Sequence, residues 1–126
     1  MLSNSDVCAT IAVSDFAAAQ KFYEEVVGLE KSMESPGGIF YKSGSGGVFV
    51  YPSSSAGTNK ATYASWLVED VEAEVEALKA KGVTFEHYED MPNTTLEGDV
   101  HVMGSMKAAW FTDPDGNILN IVNQMG

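Results

Sequence analysis

The sequence predicts an α+β fold in which two βαβββ modules form curled mixed sheets around a shared cleft, with the helices on the outside. Three observations predict it. The first is a repeat: Cys8-Ala9-Thr10-Ile11-Ala12-Val13-Ser14-Asp15 leads into a helical pattern that stops at Gly28, and Tyr63-Ala64-Ser65-Trp66-Leu67-Val68-Glu69-Asp70 leads into one that stops at Gly82. Each is a short apolar strand, an Asp, an amphipathic helix and a glycine, and such self-similarity organises a whole fold. The second is the run Pro52-Ser53-Ser54-Ser55-Ala56-Gly57-Thr58-Asn59-Lys60 close to the midpoint, whose composition is that of a linker. The third is size. The chain has 126 residues, and a half of roughly 60 residues buries too little surface to be stable alone. One domain is therefore expected, with module one at 1–52, a linker at 53–60 and module two at 61–126.

The elements follow in order. Val7 to Val13 is short and apolar, a strand. Asp15 caps a helix whose apolar residues Phe16, Ala19, Phe22, Tyr23, Val26 and Val27 fall at helical spacing, and Gly28 supplies the left-handed residue that ends it. Strands are expected at 29–35, 38–43 and 47–51, separated by Pro36-Gly37-Gly38 and Gly44-Ser45-Gly46-Gly47. The second of these breaks has neither the Lys nor the following helix of a phosphate loop and reads as a hairpin turn. In module two, a strand over 61–68 precedes a helix capped by Asp70, with Glu72 and Glu74 near its N-terminal dipole and Val71, Val75 and Leu78 as its buried stripe. Val83 to Tyr88 reads as a strand, 89–105 as irregular, and 107–112 as a strand. Asp113-Pro114-Asp115-Gly116-Asn117 then has Pro and Gly placed for a turn, and Ile118 to Asn123 closes the chain.

Composition excludes several roles. The net charge is −11, and all seven basic residues are lysine. A nucleic-acid partner needs a basic footprint, and an anionic substrate would lack the bidentate arginine that usually clamps it. Residues 1–60 carry four Lys against six acids, and residues 61–126 three against twelve, so the charge is −2 and −9 in the two halves. That acidity either attracts cationic ligands or solvates the surface. No apolar run reaches the roughly 20 residues of a membrane span, the N-terminus has no signal-peptide pattern, and Cys8 is the single cysteine, so no internal disulfide is expected. No membrane partner and a cytoplasmic location are the expectation.

The residues Val13-Ser14-Asp15-Phe16, Phe22-Tyr23 and Val27-Gly28-Leu29, with Val68-Glu69-Asp70-Val71 and Asp113-Pro114-Asp115-Gly116-Asn117-Ile118-Leu119, resemble the signature of the vicinal oxygen chelate (VOC) superfamily. That superfamily includes glyoxalase I, extradiol dioxygenases, and fosfomycin and bleomycin resistance proteins. The resemblance covers essentially the whole chain. It implies the fold rather than one activity, because this fold hosts isomerases, dioxygenases, transferases and binders. A homodimer is implied by it as well. Metal-dependent members hold their ion at four strand positions, which here are Cys8, Tyr51, Tyr63 and Asn120. Divalent metals want several imidazole, carboxylate or thiolate donors, so no metal and no cofactor are expected.

Alternation along the strands groups Cys8, Thr10 and Ala12, then Tyr63, Ser65 and Leu67, then Phe49 and Tyr51, then Ile118, Asn120 and Val122. If these positions face the cleft, aromatic rings, small hydroxyls and an amide line a small-molecule site; otherwise they pack against one another. Trp110 either walls that site or joins the core, and Trp66, of opposite parity, packs under a helix. His87 and His101 read as surface histidines, with His101 in a segment able to act as a lid and thus the one candidate base. Cys8 reads as a buried inert thiol. The candidate ligand-binding residues are Cys8, Thr10, Phe49, Tyr51, Tyr63, Ser65, His101, Trp110 and Asn120. The expected function is metal-free binding of a small organic, aromatic or cationic molecule in the manner of bleomycin resistance proteins. The alternative is a lyase, isomerase or dioxygenase-related enzyme with a diverged site.

Overall fold

The computed structural model describes residues 1–124. After a short 3₁₀ turn at Leu2–Asn4, module one runs β1 (Ala9–Val13), α1 (Phe16–Lys21), β2 (Glu30–Ser35), β3 (Gly38–Ser43) and β4 (Gly46–Pro52). Its sheet has the order β1-β4-β3-β2, with β1 parallel to β4 and the rest antiparallel. Module two runs β5 (Thr62–Leu67), α2 (Val71–Ala80), β6 (Phe85–Glu86), β7 (Thr95–Glu97), β8 (Val100–Met103), β9 (Met106–Thr112) and β10 (Ile118–Val122). Its sheet has the order β5-β10-β9-β8-β7, with β6 added beside β9. The repeat read from the sequence is therefore real: in each module the first strand lies parallel to the last. The edge strands β1 and β5 lie next to one another where the modules meet.

Both helix starts follow the sequence. Asp15 accepts a hydrogen bond from the Ala18 N–H and Asp70 one from the Ala73 N–H, each satisfying a donor that a helix N-terminus would otherwise leave unpaired. The first helix does not stay α-helical to its end. From Phe22 to Val26 it widens into a π turn, with the Val27 N–H bonded to the Phe22 carbonyl at 2.9 Å. The same side chains suit either winding, so the pattern of apolar residues carries no mark of the change. Helices and sheets share one apolar cluster that runs through both modules, including Ile11, Tyr23, Tyr41 and Val50 from the first and Val75, Phe111, Leu119 and Ile121 from the second.

The structure corrects the expected strand pattern in two places. The N-terminal strand starts only at Ala9, which leaves Val7 and Cys8 exposed; Cys8 is thus not the buried thiol expected. The segment 89–105 is not irregular throughout. It contains the hairpin β7–β8, joined by Gly98-Asp99 with Gly98 at φ +65°, while the expected strand over 83–88 shrinks to two residues. The strands of this hairpin are three and four residues long, too short for alternation to stand out from noise.

The Asp-Pro-Asp-Gly-Asn turn does more than reverse the chain. Asn117 is fully buried. Its Nδ2 donates to the Ala12 carbonyl of β1 at 2.7 Å and to Asp113 Oδ2 at 2.8 Å, and its Oδ1 accepts the Gly57 N–H at 3.0 Å. The Asp113 carboxylate is filled from four sides: by the N–H groups of Asp115 and Asn117, by Asn117 Nδ2 and by the hydroxyl of Tyr23. Asp115 in turn accepts the N–H and the hydroxyl of Ser14. A turn in module two thereby grips the first strand, the first helix and the linker at once.

Candidate functional site

Side-chain parity separates the two faces of the second sheet. Leu119, Ile121, Ala109 and Phe111 point into the core cluster. Asn120 and Trp110, which are register partners across β10 and β9, lie on the other face, as does His101, paired with Ala108 across β8 and β9. Ser65 of β5 lies opposite Asn120. A bulge between Ile118 and Leu119 lets β5 spend three residues, Thr62 to Ala64, where β10 spends two, and Tyr63 is the one without a register partner.

Three rings pack together on this face. His101 and Trp110 meet edge to face with centroids 4.9 Å apart, Tyr88 and Trp110 at 5.3 Å, and Tyr88 and His101 at 5.8 Å. Trp110 donates from Nε1 to Thr62 Oγ1 at 3.2 Å. Beside these rings a cavity of about 610 Å³ is lined by Lys60, Ala61, Thr62, Tyr88, Trp110 and Ile118. A hollow of about 480 Å³ at the far end of β5 is bordered by the Ser43–Gly47 turn and Ser65–Leu67, mostly small side chains. It offers a guest far less aromatic surface.

His101 is the largest departure from expectation. It is 0% exposed, not a surface histidine, and it belongs to a strand, not a lid. Its Nε2 accepts the Tyr88 N–H at 2.9 Å, and burial pushes its pKa below the ordinary histidine value. The ring is thus neutral. Because Nε2 is an acceptor, the ring proton sits on Nδ1. Oδ1 of Asn120, a residue only 6% exposed, has no partner among the described residues, whereas the His101 ring also meets the Ala108 backbone, a contact that partly offsets the effect of burial. Burial, reinforced by Glu86, raises the pKa of Tyr88, so this phenol stays protonated.

The candidate residues divide into groups. His101, Trp110, Asn120 and Ser65 come together on the second sheet. Thr10, Phe49 and Tyr51 share a face of the first, where Thr10 pairs with Phe49 and the rings of Phe49 and Tyr51 stack at 6.2 Å with 9° between their planes. Among the described residues no ring contact joins the two groups. Tyr63 is half-buried against the core, and its hydroxyl accepts the Asn59 N–H. Cys8 lies outside any strand. Trp66 packs against the core with its Nε1 bonded to Ser43, as its parity predicted. Tyr88 and Thr62 were missed. Alternation could not place Tyr88, which follows a two-residue strand, and the bulge defeats it at Thr62.

The four positions that the resemblance implies as metal ligands, Cys8, Tyr51, Tyr63 and Asn120, carry a thiol ahead of the strand, two phenols and a carboxamide. Among the described residues no group of three or more His, Cys, Asp or Glu side chains converges. This donor set does not fit a divalent transition metal. No helix among the described residues is long and apolar enough to cross a membrane.

Comparison with known proteins agrees with this geometry. A family model described as the Glyoxalase/Bleomycin resistance protein/Dioxygenase superfamily matches residues 6–121. No curated protein sequence matches significantly. Similar solved structures include a glyoxalase family protein from Enterococcus faecalis, at TM-score 0.73 and 20% identity, covering 97% of this chain and 99% of that one. A lactoylglutathione lyase from Agrobacterium tumefaciens aligns at TM-score 0.67 and 20% identity, covering 94% and 92%. A glyoxalase/bleomycin resistance protein from Streptomyces sp. CB03234 aligns at 0.64 and 22%, covering 93% and 98%. At these identities the likeness shows the fold.

Proposed function

The chain belongs to the glyoxalase/bleomycin resistance protein/dioxygenase superfamily, and from that premise we propose that it binds a small planar organic molecule without a resident metal. The role is sequestration, of the kind for which the bleomycin resistance members are named. The observation that carries this reading is the cavity of about 610 Å³ walled by Trp110 and Tyr88, which offers flat apolar surface with a few polar groups at its edge. A lyase, isomerase or dioxygenase would need a metal or a base. The donor set argues against the first. The one buried histidine has its basic lone pair engaged by the Tyr88 N–H, which argues against the second.

The guest is neutral or cationic. Among the described residues Lys60 is the single positive group lining the cavity, and Glu86, register partner of Trp110, adds a negative charge on the same face of a chain of net charge −11. Aromatic faces attract cations by about 0.5–2 kcal/mol each. A titration of N-methylquinolinium against 2-naphthoate, followed by tryptophan fluorescence, should show the cation binding tighter, with the margin shrinking as salt rises. Tighter binding of the naphthoate would overturn this reading and move weight to Lys60 and an acidic substrate.

A further inference from the structure

We propose that His101 is an acid-operated latch: on taking up a proton it releases the strap that carries Tyr88, and so unseals one wall of the cavity beside Trp110. The latch stands on its own geometry, and its effect on a guest rests on the cavity reading above. Strand β6 ends at Glu86 and β7 begins at Thr95, so residues 87–94 form a strap between them. The first two residues of this strap are held by side chains. His87 Nε2 lies 2.8 Å from Asp99, which also takes Lys79 at 2.9 Å. The Tyr88 N–H donates to His101 Nε2 at 2.9 Å. The Tyr88 ring packs on both His101 and Trp110 and lines the cavity.

The bond between Tyr88 and His101 exists in one protonation state only. A neutral imidazole offers one nitrogen as an acceptor, whereas an imidazolium carries a proton on both and accepts nothing. A proton added to Nε2 would face the Tyr88 N–H, donor against donor. The same proton would place a charge in a ring that is 0% exposed, where an unpaired charge is costly.

The surroundings do not balance that charge. His87, on the strap, adds a charge of the same sign when protonated. Asp99, just ahead of β8, is already engaged by His87 and by Lys79 of α2. Lys107 of β9 is paired with Glu72 of α2. Glu86 of β6, Glu97 of β7, and Glu89 and Asp90 of the strap are exposed to water. Burial holds the ring below the ordinary histidine value, and although the Ala108 backbone opposes this, His87 reinforces it. Once the strap swings away and water reaches the ring, His101 titrates near the ordinary value of about 6.5. Above that pH both arrangements are neutral and the latch holds fully. Below it the open arrangement takes up a proton that the closed one refuses, so closure weakens by about tenfold per pH unit.

Hydrogen exchange of the Tyr88 amide, read by NMR between pH 7.5 and pH 4.5, tests the latch without any ligand. Its protection, corrected for the intrinsic pH dependence of exchange, should fall by about tenfold per unit below about pH 6.5, while amides of the β9–β10 pairing stay protected. His101→Gln should flatten the fall, because an amide oxygen can accept the Tyr88 N–H but cannot titrate; His87→Gln should leave it in place. In the parent protein the imidazole nitrogen shifts of His101 should change in step with Tyr88, whether or not the glutamine variant folds. A fall that persists in His101→Gln, a His101 ring that stays neutral while Tyr88 opens, or loss of β9–β10 protection in parallel would overturn the latch. Saturating N-methylquinolinium should restore Tyr88 protection at pH 5. Binding that leaves Tyr88 as open as before would overturn the link between latch and cavity. Absence of quinolinium binding even at pH 7.5 would count against the cavity reading, with the latch still decided by exchange.

Discussion

Replacing Asn117 with alanine is expected to remove about 3–5 kcal/mol of stability, a large part of the roughly 5–15 kcal/mol that a domain of this size possesses. The side chain is fully buried and makes three hydrogen bonds that span both modules and the linker. Without it the Ala12 carbonyl and the Gly57 N–H lose their partners inside the protein, at about 1–3 kcal/mol for each group left unpaired. The Asp113 carboxylate also loses one of its donors, and an under-satisfied buried charge is costly. Gly57→Ala should be damaging for a related reason. Gly57 sits at φ +70°, and a Cβ there would run into the Asp115 carbonyl oxygen, prising the linker from the turn. Urea unfolding monitored by circular dichroism reads both effects. A loss below about 1 kcal/mol for Asn117→Ala would show that the turn merely reverses the chain and does not join the modules.

How much of this was legible in the sequence depended on the length of the pattern involved. The repeat and both helix caps follow from motifs of eight or more residues, where apolar spacing is unambiguous, whereas the parallel pairing of each module's first and last strands appears only in the structure. Strand parity grouped Asn120 with Ile118 and Val122 but left Trp110 open between site and core, and only the register of β9 against β10 puts the two on one face. It failed for His101, which sits in a four-residue strand reached through an unrecognised turn. A polar residue in such a segment reads as exposed by default, and only the tertiary cover of Tyr88 and Trp110 makes it buried. The role of Asn117 was hidden for a different reason. Asn after Gly is ordinary turn chemistry, and nothing local tells that the amide reaches a carbonyl 105 residues away. Tyr23 is the same case: it was placed correctly on the buried stripe of its helix, but its hydroxyl bond to Asp113 spans 90 residues.

That bond and its neighbour lead to an alkaline collapse of the fold. Tyr23 and Tyr41 are both 0% exposed. Tyr23 donates to Asp113 at 2.7 Å and Tyr41 to Glu24 at 2.8 Å. Burial first, and then the adjoining carboxylates, raise both phenols well above the ordinary tyrosine value. In the unfolded chain both ionise near pH 10. Below that pH the two states hold the same phenolic protons and the contribution is fully present. Above it the unfolded chain releases two protons that the folded protein retains, so unfolding becomes easier as pH rises. The slope is about 1.4 kcal/mol per pH unit for each group, or about 2.7 for the pair, so about 5 kcal/mol is lost by about pH 12, the whole stability of a fold at the low end of the ordinary range. Tyr88 shifts in the same direction. Lys31, Lys79 and Lys107 do so through exposed ion pairs, which contribute little. Stabilities from urea unfolding at about pH 8 and about pH 11 should differ by about 3 kcal/mol, and Tyr23→Phe should roughly halve that difference, because a phenylalanine has no proton to lose. A stability that stays flat through this range, or phenolate absorbance from all five tyrosines appearing in the still-folded protein, would show that the two hydroxyls are not held against their carboxylates.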